Sequence, residues 1–531
     1  MKIPKMLKKW DILFFILLFG IAYLYSYHII LFLRPCSMHQ WRQCDGLSIT
    51  LNYYKEGMHF FNPTLNNCGA TGDGRTCPTE CPLIYFAVAL LWKTFGYHEY
   101  FFRFLEILIG FAGLYALFKL TQELVQDGVW ALLVSLLLFT SPIFAFYTNN
   151  FITDTPGLSI ALIGWYFFVK YYKTKRLSFY NISIFIFLLA GLFKITALLS
   201  FVPLVVIYVW ELGRKPEDKR EKLFINPVSQ GIAIFLLLLF IVAWVVYSGY
   251  YRNLHNAGFF LTIQHPIWEL DKNTIHIVLN KLYTKLLPQY FSMPIIFFTL
   301  ALFLTLLINY KKMNRFYYWF ILMVFSGCAA YVILWFSNFD VHDYYLINAL
   351  IFIPTTLVSL LVFLKENYPS LFNSSKLKLV ISIILTLNIY YCSVQMKLKY
   401  FAAQQYNFII DEQDANYWKW YHWDYDAHTK SFETITPYLR NIGIARDDKV
   451  VSIPDKSPDI SLYLMDQKGY TEFGSNESQD TDRIREFIHL GAKYLIVSSP
   501  SYLDYTWLKP YLKNKIGTYQ NITIYNLKNL N

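Results

Sequence analysis

Long apolar runs recur along the first three quarters of the chain, parted by short polar stretches. Runs at about 11–33, 101–121, 129–147, 155–172, 178–193, 196–211, 229–249, 291–310, 316–337, 344–364 and 377–396 read as helices that cross a bilayer, whose core needs about twenty apolar residues. A further run, "LIYFAVALLWKTF" at 83–95, is too short to cross and reads as a helix lying on a membrane surface. Beyond residue 397 the pattern changes. "DDKVVSIPD" reads as a strand ending in a turn, and "DTDRIREFIHLG" as an amphipathic helix with a glycine stop. "AKYLIVSS" reads as a buried strand and "YQNITIYNL" as another. The pattern predicts a polytopic α-helical membrane protein of about eleven spans. A membrane domain over 1–396, with a long first external loop at 34–100, precedes a small α/β domain over 397–531.

Composition agrees. Of 531 residues, 55% are hydrophobic and only 16% are charged, against about a quarter charged in soluble domains. The formal charge of +11 carries no basic stripe or recognition motif, so nucleic acid is not expected as a partner. The excess Lys and Arg instead marks cytoplasmic loops. With the N-terminus inside, "KYYKTKR" (170–176), "GRKPEDKREK" (213–222), "KKMNR" (311–315) and the segment with Lys365, Lys376 and Lys378 all fall inside. The loops at 148–154 and 338–343 contain no Lys or Arg and fall outside. The first apolar run is longer than a signal-peptide core and no small-residue cleavage site follows, so it is expected to be retained as a span. Three irregular segments then share the outer face: 34–100, 250–290 and the tail.

Five of the seven cysteines, Cys36, Cys44, Cys68, Cys77 and Cys81, lie in the first outer loop. "CGATGDGRTCPTEC" admits a Cys68–Cys77 or Cys68–Cys81 disulfide, since thiols outside the cytoplasm tend to pair. Free thiols are a second reading. A zinc site is a third, although two close CxxC pairs are lacking.

Ionisable residues near the membrane collect on the same outer side: Arg42 and Asp45, Arg103 and Glu106, Asp154, Lys194, and the "HDYY" run His342, Asp343, Tyr344 and Tyr345. Each has a plain structural explanation. Asp154 precedes Thr155 and Pro156 and would cap a helix. Lys194 would snorkel, the tyrosines would be interfacial aromatics, and Arg103 would pair with Glu106 one turn away. Their gathering on one face favours function, because ionisable groups at membrane depth are costly. An acid there can act as a general base. Lys and Arg can hold a lipid phosphate, and Tyr hydroxyls can donate to its remaining oxygens. The set suits a phospholipid-like donor whose phosphate leaves as an external acceptor attacks, as in inverting sugar transfer with a carboxylate base.

These segments resemble the membrane-embedded C-type glycosyltransferases that use polyprenyl-phosphate sugars, over roughly residues 10–365. The nearest branches are the protein O-mannosyltransferase-related group and the lipid A aminoarabinose transferases. "HQWRQCDGLSITLNYYKEG" resembles the first external loop with its catalytic acid, which implies Asp45 as the base. "TECPLIYFAVALLWKTFG" resembles that loop's surface helix, opened by Glu80 to Pro82. "GYHEYFFRFLEILIGF" resembles the following span with its arginine, Arg103, which would brace the first loop. "FITDTPGLSIALIGWYFF" resembles the second acidic motif, with Asp154 in support. "GLFKITALLSFVPL" makes Lys194 a phosphate contact, and "HDYYLINALIFIP" places His342 and Tyr345 near the donor beside Tyr344. Arg42 would share the phosphate. Where the family often has a second acid after the first, Gly46 stands here, so Glu80 or Asp154 would have to assist.

The resemblance implies a GT-C-like fold and transfer of a sugar from a polyprenyl-phosphate donor to an extracytoplasmic acceptor. The setting would be a bacterial inner membrane, with the active site and C-terminal domain on the outer face. No cofactor is required; a divalent metal is compatible with the residues but not demanded. A transporter or flippase of lipid-linked sugars would want polar groups at the membrane midplane and repeated halves. A non-catalytic scaffold would not need Asp45 and Asp154 together.

Overall fold

The computed structural model describes residues 5–214, 222–260, 265–401, 408–474 and 480–528, with side chains at 5–8 and 480–482 left aside. Most of the expected basic loop at 213–222, and parts of the 250–290 segment and of the early tail, lie outside the described residues. The chain forms two compact units. One comprises Met1–Leu31, Arg103–Trp244 and Thr262–Lys397; the other comprises Phe32–Phe102, Val245–Leu261 and Leu398–Asn531.

The first unit is helical, and it makes this a multi-pass membrane protein. Among the described residues six helices are long and apolar enough to cross a membrane, or up to eight if each of two bent pairs is one span. The six are Tyr100–Val125, Ile195–Leu212, Pro227–Leu254, Arg315–Leu334, Asp343–Asn367 and Ser375–Tyr400. Each expected run is helical, but the count of eleven is not reached by length and composition. Leu177–Phe193 has only 17 residues, and Asp154–Thr174 carries Asp154, Lys170 and Lys173. The run at 129–147 breaks into Gly128–Phe139 and Pro142–Thr148, bent by 75°. Pro142 opens the second piece and supplies no amide to continue the first. The run at 11–33 gives Lys5–Leu24 and then Tyr27–Ile30, with Ser26 in a left-handed conformation between them.

The outward faces of the spans are apolar. Along Ser375–Tyr400, Leu379, Ile383, Leu387 and Tyr390 form one exposed stripe, the helical spacing of a lipid-facing surface. Inside the unit the helices approach closely. A Cβ on Gly113 would come within 2.5 Å of Ser159, so only glycine lets Tyr100–Val125 lie this near Asp154–Thr174, as small residues do between membrane helices.

The second unit contains a five-stranded sheet: β1 (Val450–Ile453), β2 (Gly469–Tyr470), β3 (Tyr494–Val497), β4 (Lys515–Tyr519) and β5 (Ile522–Asn526). Its order is β2-β1-β3-β5-β4, parallel from β2 to β3 and antiparallel thereafter. Strands β1, β3 and β5 are those expected from the apolar runs. The two-residue β2 and the polar β4 lack such a run and go unseen in the sequence. Helix Asp480–His489 ends before Gly491, whose φ of +97° suits a helix stop.

The same unit holds the first loop, and its Cys-rich insert is built onto the sheet. Asn67 forms a parallel bridge with Gly469 of β2. The amide of Gly469 donates to Asn66 O at 3.1 Å, and that of Cys68 donates to Gly469 O at 2.7 Å. Arg446 adds a clamp, with Nη1 2.6 Å from Glu56 Oε1, Nη2 2.5 Å from Asn52 Oδ1 and Nε 2.9 Å from Asp466 Oδ1.

Candidate functional site

The sequence-chosen residues fall into two groups, one within each unit. In the unit with the sheet, Asp45 lies on helix Gln40–Glu56, which begins after His39 and ends at Gly57, whose φ of +117° few other residues adopt. Asp45 is 4% exposed, and its Oδ1 is buried with no hydrogen-bond partner among the described residues. Burial pushes its carboxyl up to about 7; Arg42 opposes the rise and Asp455 adds to it. A carboxyl poised there suits proton transfer near neutral pH.

Arg42 sits one turn before Asp45 and pairs with Glu80. It also reaches the Tyr85 hydroxyl at 3.4 Å, and that hydroxyl donates to Glu80 Oε1 at 2.8 Å. The guanidinium lies 5.1 Å from the ring centre of Phe260. Glu80, at the start of the surface-helix segment, is therefore the partner of Arg42.

Two further acids surround Asp45 electrostatically. Asp455, just past β1, accepts from the amide and hydroxyl of Ser457 at 2.8 and 2.5 Å and from those of Ser461 at 2.9 and 2.6 Å. Burial nevertheless raises its carboxyl above the ordinary range. Asp459 accepts from the Asn67 amide at 3.1 Å. Burial pushes it well up, and the negative charge of Asp45 adds to the rise. The sequence showed "SIPDKSPDI" only as the end of a strand; nothing local says that it lies near the first loop.

In the helical unit, Asp154 heads helix Asp154–Thr174 but does not cap it: the N-cap is Thr153, with no side-chain cap bond. Its carboxylate instead lies 3.1 Å from Lys194 Nζ and is 1% exposed. Lys194 ends helix Leu177–Phe193 in extended backbone. Gly157 permits the approach, since a Cβ there would stand 3.0 Å from Lys194 Cβ. The ammonium lies 5.6 Å from the ring centre of Tyr344 and 5.4 Å from that of Tyr345, within cation–π range. His342 packs on Tyr345 with ring centres 4.7 Å apart.

Arg103 is fully buried. It donates to the carbonyl of Asn149 and lies 4.2 Å from the ring centre of Phe151. These two contacts tie it to the turn that leads into Asp154. Asp343, to which the sequence assigns no role of its own, accepts from Tyr147 at 2.6 Å. No sequence signal separated it from His342 and Tyr344.

Cys68, Cys77 and Cys81 are free thiols, so neither disulfide considered for Cys68 is formed. Cys68 is taken up by the apolar core of the sheet, beside Val451 and Tyr470. Burial raises all three thiols; Cys77 and Cys81 are pushed up to about 12. Among the described residues no three His, Cys, Asp or Glu side chains stand together in a way that could hold a metal ion.

Residues 78–247 match the family model for dolichyl-phosphate-mannose-protein mannosyltransferases. Two solved structures of ArnT from Cupriavidus metallidurans share the fold over 98% of both chains. The apo form matches with a TM-score of 0.57 at 11% identity. The form bound to undecaprenyl phosphate matches with a TM-score of 0.58 at 12% identity. No curated protein matches the chain in sequence. The matched segment spans about a third of the chain, and at this identity the two structures show a shared fold: that of ArnT, a multi-pass membrane protein.

Proposed function

We propose that the protein transfers a sugar from a polyprenyl-phosphate carrier to an acceptor on the outer side of a bacterial inner membrane, with inversion at the sugar carbon. Asp45 is the base. It takes the acceptor's proton as the acceptor oxygen or nitrogen attacks the sugar and the lipid phosphate departs on the opposite side. The observation that carries this reading is the state of Asp45: a buried carboxyl, one oxygen without a partner among the described residues, held near neutral pH.

Lys194 supplies positive charge for the leaving phosphate, and the Tyr345 hydroxyl donates to it. Asp154 holds the ammonium of Lys194, Tyr344 and His342 frame it, and Arg103 fixes the turn before Asp154. Arg42, poised by Glu80, stands beside Asp45 and opposes the developing negative charge. The fold relative crystallised with undecaprenyl phosphate supports a lipid-linked donor. A multi-pass arrangement with the N-terminus inside and the tail outside agrees with the basic inner loops. No step here calls on a metal.

The test is transfer by the purified full chain, given polyprenyl-phosphate sugar and an envelope extract as acceptor. Asp45→Asn should abolish transfer while donor binding persists. Transfer at the wild-type rate would remove Asp45 from the reaction. Passage of the donor across vesicles without transfer would point to a flippase.

A further inference from the structure

An open cleft of about 450 Å3 lies within the sheet-bearing unit, and neither Asp45 nor the Lys194 cluster lines it. One wall is helix Glu412–His428, which presents Tyr417, Tyr421, Asp424 and Tyr425. Their spacing of four, seven and eight residues puts them on one helical face. The other wall includes Gln40 and Trp41, the first residues of helix Gln40–Glu56, with Lys456 beyond. We propose that this cleft binds the acceptor and that the acceptor is a carbohydrate chain.

The chemistry of the lining carries the assignment. A sugar ring has a face of C–H groups and a rim of hydroxyls. It needs flat aromatic surfaces beside groups that accept and donate hydrogen bonds. Four aromatic side chains here stand among a carboxylate, an amide and an ammonium. Two of the rings are pinned: Tyr421 donates to Ser37 O at 2.7 Å, and Tyr425 donates to Glu433. Pinned rings lose little freedom when a ligand stacks on them. The Asp424 carboxylate is fixed by His428, 2.9 Å away. An acyl chain would meet charge on both walls. A peptide adding as a strand would need an open sheet edge, and helices build these walls.

The position fits an acceptor. Trp41 and Asp45 are four residues apart on one helix, so they share a face about 6 Å apart along its axis. A saccharide stacked at Trp41 thus lies on the side of the helix that carries the base. The cleft's volume falls within the range of small-ligand sites, about 300–1,000 Å3. This inference rests on the transferase reading for the word acceptor, but not for the binding of carbohydrate.

The experiment measures binding of the full chain in detergent to an array of bacterial envelope glycans, with no donor present. Binding to at least one glycan is expected, with a loss of tenfold or more in Tyr417→Ala and Asp424→Asn. Trp420→Ala, outside the cleft on the exposed flank of the same helix, should bind as the wild type does. In transfer assays the two cleft variants should raise the acceptor KM far more than they lower kcat. Binding to no glycan, equal binding by wild type and both cleft variants, or inhibition of transfer by peptides alone would overturn the proposal. Asp45→Asn separates the two readings, since it should stop transfer yet still bind glycan. If it transfers normally, the catalytic reading falls while the cleft stands.

Discussion

Lys194 and Asp154 form an ion pair 3.1 Å apart, with the carboxylate almost wholly buried and the ammonium partly open. The residues come from the end of one helix and the start of another, and a glycine one turn past Asp154 lets them meet. Such a pair adds little net stability, but each member depends on the other.

Lys194→Met should therefore deprive a buried carboxylate of its paired cation and destabilise the helical unit by about 3 kcal/mol. The double variant Lys194→Met/Asp154→Asn should recover most of that loss in thermal unfolding. Its transfer rate should stay down by on the order of a hundredfold, as for other lost contacts to a departing anion. Recovered activity in the double variant would show that the pair serves folding alone.

Asp45 should weaken the fold as it ionises. Its carboxyl is raised from the ordinary 3.8 to about 7, so the folded chain holds a proton that the unfolded chain releases. Stability is full below the ordinary value and falls as pH rises toward 7, by up to about 4 kcal/mol if the whole shift is expressed. Asp45→Asn carries no such charge. Its thermal midpoint should exceed the wild type's by more at pH 8 than at pH 5. Wild-type transfer should rise with pH through an acidic limb near 7, as the base ionises.

The clamp at Arg446 makes a separate prediction. Burial alone would raise Glu56, but Lys468 and Arg446 outweigh it and hold the carboxyl below the ordinary range. The stabilisation is present above the ordinary value and is lost as pH falls through the lowered one. Arg446→Met should remove much of it, since Glu56, Asn52 and Asp466 all lose a partner. Amide exchange over residues 64–68 should accelerate in the variant. Unchanged exchange there would mean that the β2 bridge alone holds the insert.

A control lies outside both site groups. Asp127 caps helix Gly128–Phe139 by accepting from the amides of Val129 and Trp130 at 2.9 and 3.1 Å. The same carboxylate pairs with Lys378, so Asp127→Ala should cost about 1–2 kcal/mol and leave transfer per folded molecule unchanged. A drop in specific activity would reveal a coupling this reading does not contain.

The sequence made the helices legible because apolar runs of bilayer length have few other uses. It also exposed Asp45, Arg42, Asp154 and Lys194, since charge at membrane depth is conspicuous. It did not show that Glu80 answers Arg42, that Asp154 pairs rather than caps, or that Asp455 and Asp459 lie near Asp45. Those contacts join residues up to hundreds of positions apart, and no local periodicity encodes them. The span count drifted for a related reason. Hydropathy does not register the 75° bend at Pro142, which divides a run that looks continuous.

The bridge between Asn67 and Gly469 makes the tail's sheet part of the scaffold beneath the first loop. Grafting a relative's C-terminal region onto this chain would strip that loop of the backbone rung it leans on, however well the new region folded by itself. Exchange between proteins of this fold should succeed only when loop and tail travel as one inheritance.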